Sequence, residues 1–489
     1  LALSRDLALS RDLALSRDLA LRRERGLNRM LFTQFEFPLY FLCVLVAAWL
    51  CRGRQTRNAV LLFASYYFYA YWDYRFCALL ALSTVVDYFI AKGMVRSTGT
   101  GVRRSLLLVS LIVNLGVLGF FKYFNFFIDS ASPALQAIGL SGETLNIILP
   151  VGVSFYTFQT LSYTIDVYRG VLKPVNRFLD FALYVAFFPQ LVAGPIVRAR
   201  ELLPQLATVP QFSKRRFYGG GQQMLRGLVK KVLLADRLGE AVDVVFAGPD
   251  LYSGVTIWIA VLAYAGQIYY DFSGYSDIAI GAAKMLGYRF PVNFRHPYLS
   301  GSMSEFWHRW HMTLSRWLRD YVYIALGGSR VSQWVTYRNL MITMTLGGLW
   351  HGAAWTFVLW GIWHGVALVF ERAFRNLTRY RVVRPIGWFI TMSVILAGWV
   401  LFRSENLATA AGVLQRMMTL AEGVNWYPPL ALAALVCCVV EHAAWCTRLR
   451  RAMRLPIDAW YSPIATSVMI WALVLYAPRD FRPFVYFQF

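Results

Sequence analysis

Apolar runs separated by short basic or polar stretches set the pattern of the chain from Leu31 onward. Leu31–Leu50, Leu106–Phe121, Val255–Tyr270 and Pro385–Leu401 each approach the roughly 20 apolar residues that cross a hydrocarbon core. Roughly ten to twelve such stretches can be counted, and backbone in lipid is satisfied by helices. The pattern predicts an all-α polytopic membrane protein, a helical bundle with no soluble domain of any size. Four ordinary spans are expected between Leu31 and Asn125. Asn146–Ile165 carries Pro150 and Gly152 and should start irregularly. Phe178–Val197 has basic flanks on both sides and contains Pro189, Gly194 and Pro195, which predicts a re-entrant segment. Two spans are expected within Phe217–Leu234 and Val255–Leu286, then the polar, aromatic stretch Gly287–Arg330. Asn339–Phe370 is shorter than the roughly 40 residues that two straight spans need, yet basic residues flank both ends. It predicts a short hairpin that does not fully cross, broken at Gly347-Gly348-Leu349-Trp350-His351-Gly352. Three closing spans follow.

Ser302 and Glu305 have capping-box spacing and predict a helix through Ser302–Leu326. At about 100° per residue, Phe306, Trp310, Leu314, Trp317, Leu318, Tyr321 and Ile324 fall in one arc. Such a helix lies along the membrane surface or packs on the bundle from the cytoplasmic side. His311 falls at the border of the apolar arc, and His308 on the polar side with Ser315 and Arg319.

Composition agrees with a chain mostly out of water: of 489 residues, 58% are hydrophobic and 15% charged, against about 25% charged in soluble domains. The net charge of +23 would suggest nucleic acid in a soluble protein. Here the basic residues sit in clusters between apolar runs, as at Arg52/Arg54/Arg57, Lys214/Arg215/Arg216 and Arg448/Arg450/Arg451/Arg454, the pattern of cytoplasmic loops. The loops Asp129–Asn146, Glu240–Tyr252 and Ser404–Tyr427 are neutral or acidic and are placed outside. The six cysteines lack zinc-finger spacing. Residues 1–29 open with three copies of LALSRD, whose Leu pairs walk around a helix instead of forming a stripe. With the first Met at Met30, directly before a span, 1–29 is expected to be a disordered extension without function, and 30–489 the membrane domain.

Four of the six histidines, His296, His308, His311 and His351, lie between Arg295 and Trp355. Ionisable groups inside a membrane are expensive and mark function. His351 sits at the glycine-rich break of the apolar hairpin, where membrane proteins build sites. A hydroxyl attacking a thioester must lose a proton, and imidazole can take it near neutral pH. Asp271 and Asp277, within Tyr269–Asp277, read as members of a polar network that holds the helices around the site. No metal is predicted, since His308 and His311 have no third ligand at suitable spacing. Walker A, GxGxxG after a strand and GxSxG are missing from the sequence.

The runs Asp271-Phe272-Ser273-Gly274-Tyr275-Ser276-Asp277, Phe306-Trp307-His308-Arg309-Trp310-His311, Trp317-Leu318-Arg319-Asp320-Tyr321 and Leu349-Trp350-His351-Gly352-Ala353-Ala354-Trp355 resemble the membrane-bound O-acyltransferase family. Leu149–Tyr156 and Pro189–Pro195 match its bacterial branch, which includes alginate O-acetylation and teichoic-acid D-alanylation proteins. His308 departs from that pattern, which has Arg or Asn there. The resemblance implies a bundle with a funnel from each face meeting near His351. It implies His351 as the family's invariant histidine and His311 as the second histidine of the reaction chamber. Trp310, Trp350, Arg319, Asp320, Asp271 and Asp277 are expected as substrate-binding or structural support. The implied activity is transfer of an acyl group, favoured as acetyl, from cytoplasmic acetyl-CoA to an exported polysaccharide such as alginate or cellulose. No cofactor is expected to stay bound. A periplasmic acetyltransferase protein, a polysaccharide synthase and export complex and membrane lipid are the expected partners, in a bacterial inner membrane. D-alanyl transfer to a cell-wall polymer and transport of a lipid-linked glycan are the alternatives, but the two halves show no repeat with paired broken helices, as a transporter should.

Overall fold

The computed structural model describes residues 30–489 apart from 31, 35, 141, 193, 379–382, 448–458, 477–481, 483 and 486–489. The LALSRD extension and the Arg448–Arg454 cluster therefore lie outside the described residues. Within them the regular structure is helical, with a single isolated bridge between Tyr252 and Val424.

Helices α1 (Glu36–Leu50), α2 (Arg54–Asp73), α3 (Cys77–Arg96) and α4 (Thr100–Leu118) follow the first four expected spans. α4 continues through a π turn, Gly119–Tyr123, into α5 (Phe124–Ala137). α6 (Val153–Tyr168) begins only after Gly152, whose φ is 75° and where a Cβ would meet the Leu191 carbonyl oxygen at 2.4 Å. The irregular start expected here is a left-handed turn that requires glycine. The segment with Pro189 and Pro195 forms α7 (Phe178–Ala186) and a single turn α8 (Phe188–Leu191), after which the described residues are non-helical as far as Arg198. Its described residues from Asp180 to Ala199 are all buried, the condition under which broken backbone is tolerated at membrane depth.

α9 (Ala199–Leu206) leads to α10 (Lys214–Leu228), a π segment Val229–Ala235, α11 (Asp236–Ala247) and the 32-residue α12 (Gly254–Met285). α10 and α12 approach through glycines: a Cβ on Gly227 would lie 2.5 Å from the Gly274 oxygen, and one on Gly281 2.6 Å from the Gly220 oxygen. Small residues at such crossings let backbones touch where no hydrophobic effect drives helices together.

Ser302–Leu326 is not the single amphipathic helix that its periodicity predicts. Ser302 caps the start, accepting from the Glu305 amide at 3.1 Å. The helix then splits into α13 (Met303–Arg309) and α14 (Met312–Leu318), followed by a π turn, Arg319–Tyr323. Trp310 is extended and His311 left-handed, with φ of 39°. The split is held by a neighbouring segment: Arg295 N donates to Arg309 O at 2.9 Å and Met312 N to Asn293 O at 2.9 Å. These bonds replace helical ones, so the local propensity loses to tertiary partners. The predicted arc is buried from Phe306 to Tyr321, but Ile324 is 54% exposed.

α15 (Gln333–His351) and α16 (Trp355–Thr378) form the expected hairpin. It differs from expectation in two respects. Both arms extend past the apolar window into polar residues that remain helical, and Trp355–Arg375 is long and apolar enough to cross a membrane. The break falls at Gly352-Ala353-Ala354, whereas Gly347 and Gly348 stay inside α15. Gly348 serves the contact between the arms, since a Cβ there would lie 2.2 Å from the Phe357 oxygen and 2.9 Å from Gly361 Cα. α17 (Arg384–Arg403), α18 (Leu407–Thr419), α19 (Pro429–Trp445) and α20 (Ser462–Tyr476) complete the described fold. Four stretches meet the length and apolarity of a membrane span: Arg54–Arg96, Thr100–Ala137, Trp355–Arg375 and Arg384–Arg403, and α1, α19 and α20 are shorter apolar helices.

Candidate active site

His351 is the last residue of α15, and it is buried. Its ring is enclosed by Trp350, Trp360 and Phe402, with centroids at 5.0, 5.1 and 5.2 Å. Trp350 is also buried, and its ring packs on Phe158 (5.5 Å), which in turn stacks on Trp317 at 3.7 Å. The carbonyls that α15 leaves without helical partners at this end are met from the π turn after α4. Lys122 Nζ donates to Trp350 O at 2.6 Å and to His351 O at 3.0 Å, and Tyr123 Oη donates to Leu349 O at 2.8 Å. A cavity of about 190 Å³ lies beside this tip, lined by Phe120, Phe121, Lys122, Asn125, Ile147, Leu149 and Ala353.

His311 lies across Trp350 from this point, with ring centroids 6.0 Å apart, and it is fully buried. Its other neighbours are Phe272 at 4.5 Å and Phe294 at 6.4 Å. The break in the helix at Trp310–His311 is what turns it inward. The Thr313 amide and hydroxyl donate to Asn293 Oδ1 at 3.2 and 2.9 Å. Only the oxygen of an amide can accept from an N–H, so the orientation of Asn293 is set. That oxygen then accepts from His311 Nδ1–H at 3.2 Å. The proton is thereby assigned to Nδ1, and Nε2 carries the lone pair, buried and without a hydrogen-bond partner among the described residues. This nitrogen can accept a proton or a hydrogen bond from a substrate.

Trp310 is buried against Trp399 (4.9 Å), Phe294 (5.1 Å) and Phe306 (5.6 Å), forming a floor under this pair. His308 is exposed, and its Nδ1–H donates to the Ser304 carbonyl at 2.6 Å. Two imidazoles flanking one indole in an apolar enclosure suit proton transfer at a site shielded from water.

Comparison with known proteins decides the class. Residues 172–409 match the model of MBOAT, the membrane-bound O-acyltransferase family. The chain is 45% identical over 400 residues to the probable alginate O-acetylase AlgI of Pseudomonas aeruginosa, covering 80% of this chain and 75% of that one. The chain belongs to the membrane-bound O-acyltransferase family. It is 37% identical over 389 residues to the peptidoglycan O-acetyltransferase of Helicobacter pylori (74% of this chain, 73% of that one). It is 30% identical over 230 residues to the teichoic acid D-alanyltransferase of Bacillus subtilis (43% of this chain, 55% of that one). This protein is thus a membrane acyltransferase.

The remaining expected site residues of this acyltransferase fall into separate charge networks. Asp271 pairs with Lys231 at 2.7 Å and accepts from the Val485 amide at 2.7 Å. Lys231 also holds Asp236 at 2.7 Å. Asp277 pairs with Lys230 at 2.9 Å and accepts from Gln223 at 3.0 Å. Both carboxylates therefore tie α12 to the π segment before α11, as a supporting polar network would. Asp320 joins Arg198 at 2.6 Å and Arg319 at 2.7 Å. Partial burial raises its carboxyl, but the hydrogen bonds from Arg319 and Arg198 outweigh this and hold it below the usual carboxylate range. Arg319 is largely exposed and pairs with this carboxylate. Among the described residues no three His, Cys, Asp or Glu side chains converge as a metal site.

Several side chains here went unnoticed in the sequence. A lone Lys122 within an apolar run is a signal that was available. Asn293 gave none, because its role depends on contact with a distant turn. His364 is fully buried, with both ring nitrogens unpartnered among the described residues, its ring 4.7 Å from Trp360 and 5.3 Å from Trp307. The three π segments of the described residues each carry charged groups of these networks: Lys122, Lys230 with Lys231, and Arg319 with Asp320. Such turns recur at functional sites.

Proposed function

We propose that this acyltransferase moves an acetyl group from cytoplasmic acetyl-CoA to hydroxyls of an exported polysaccharide such as alginate or cellulose, directly or through a periplasmic partner. The observation that carries the reading is the enclosure of His351 at the hairpin break, with His311 Nε2, unpartnered among the described residues, on the other side of Trp350. His351 takes the proton of the attacking hydroxyl as its oxygen bonds to the thioester carbonyl carbon. The tetrahedral adduct then expels the CoA thiolate, which recovers that proton from the imidazolium. His311 Nε2 accepts a hydrogen bond from the acceptor hydroxyl and orients it. Trp350 and Trp360 keep water from competing for the thioester. Trp310, Asp271, Asp277, Arg319 and Asp320 support the chamber.

On this reading the chain crosses a bacterial inner membrane roughly ten to twelve times. Its basic loops face the cytoplasm, where they attract the donor's phosphates, and funnels from both faces meet near His351. A periplasmic acetyltransferase protein and a polysaccharide synthase and export complex are its proposed partners. Likeness over most of the chain to relatives named as O-acetylases favours acetyl over D-alanyl, for which the matching segments are shorter, 230 and 283 residues against 400.

The test is complementation. A Pseudomonas aeruginosa strain lacking its own alginate O-acetylase is given this chain, and base-labile acetate on the secreted polymer is measured. Acetylation should return with the wild-type chain and vanish with His351→Ala at equal membrane level. Restored acetylation by His351→Ala would remove that residue from the mechanism. Absence of any acetate with the wild-type chain would count against alginate as the polymer.

A further inference from the structure

We infer that Lys122 is a positioning residue for His351, acting through the end of α15 and not through the substrate. The inference rests on the reading of His351 as the base. An α-helix leaves its last carbonyls without intrahelical partners. At His351 this happens inside protein, because Gly352 turns to an extended conformation and the chain leaves the helix at once. Here the orphan carbonyls of Trp350 and His351 converge on one ammonium, and that of Leu349 on the neighbouring Tyr123 hydroxyl. A cation at a helix C-terminus also meets the negative end of the helix dipole.

Three features single this contact out. Among the described residues Lys122 has no carboxylate partner, and its hydrogen bonds go to the hairpin alone. A half-buried lysine without a counter-ion in an apolar run is costly to keep, so the carbonyls it serves matter to the fold of the tip. The lysine is aimed by a π turn, an insertion that rotates Lys122 and Tyr123 away from the register of α4. Finally, the bonded carbonyls include that of the proposed base itself. Moving the ammonium moves the peptide planes on both sides of the His351 Cα, and with them the imidazole.

The test uses the full chain in inverted membrane vesicles from the complemented strain, with labelled acetyl-CoA as the varied substrate and label in polysaccharide as readout. Lys122→Met keeps the length and removes the donors, whereas Lys122→Arg keeps a cation with donors. Lys122→Met should lower kcat per folded protein on the order of ten- to a hundredfold, the range for a catalytic group displaced by about 1 Å. KM for acetyl-CoA should stay within about twofold, as for a change that spares ground-state binding. Lys122→Arg should recover most of the loss. Hydrogen exchange on the purified variants supplies a readout independent of the donor: Lys122→Met should speed exchange at the amides around 350–357 and leave α12 unchanged. Unchanged kcat, or a raised KM at unchanged kcat, would overturn the inference. If the wild-type chain transfers no label, the proposed function fails instead, and unchanged exchange at the tip would then overturn the role of Lys122 separately.

Discussion

The hairpin that carries His351 depends on two backbones touching, so Gly361→Ala should disable the enzyme without touching any polar group. A Cβ on Gly361 would lie 2.4 Å from the Met344 carbonyl oxygen and 2.9 Å from Thr345 Cα. Both are backbone atoms of the facing arm, which cannot rotate aside as a flexible side chain can. Relief requires α15 and α16 to separate by on the order of 1 Å, at an overpacking cost of about 1–3 kcal/mol. Because His351 sits at the C-terminal end of α15, a separation at Met344 reaches it two turns later, and a displacement of that size can cost up to about a hundredfold in rate. The assay is polymer acetate in the complemented strain, with the melting temperature of the detergent-purified protein measured in parallel. Acetylation should fall at least about tenfold, with a lower melting temperature. Gly116→Ala is the control, since a Cβ there meets nothing within 4 Å, and it should leave both readouts unchanged. A Gly361→Ala chain with wild-type acetylation and melting would refute the claim that close arms position His351.

His311→Ala should lower acetylation on the order of a hundredfold, as misorientation of an acceptor by about 1 Å does. His308→Ala, at an exposed ring, should stay within about twofold; a more sensitive His308 would mean that the inward turn at Trp310–His311 is misassigned. For orientation, a reporter fused after Arg381 should read cytoplasmic and one after Glu422 external. The opposite pair of results would reverse the side from which the donor enters.

What the sequence by itself determined is the class of object. Apolar runs approaching about 20 residues with basic punctuation span lipid as helices, because a barrel strand needs only about ten residues of alternating polarity and a helix satisfies its own backbone. The same run-and-break pattern marked His351, since glycines in a nearly uncharged hairpin are visible without any partner. The six-residue run from Phe306 to His311 and the motif around Trp350 carried the family, and the capping box placed the start of α13.

Tertiary structure decided where chemistry is aimed. The helix expected through Ser302–Leu326 breaks at His311 because Asn293 and Arg295, distant in sequence, offer its backbone better partners. No periodicity contains that information. Gly347 and Gly348 looked like a break but act as a contact surface, because a glycine reads the same whether it frees the chain or admits a neighbour. Asp271 and Asp277 resembled each other in the motif, yet each is claimed by a different lysine of one π segment. Lys122 shows the limit most plainly. Its charge is legible in an apolar run, but the carbonyls it holds belong to a helix more than two hundred residues later, and only the fold brings that helix end to it.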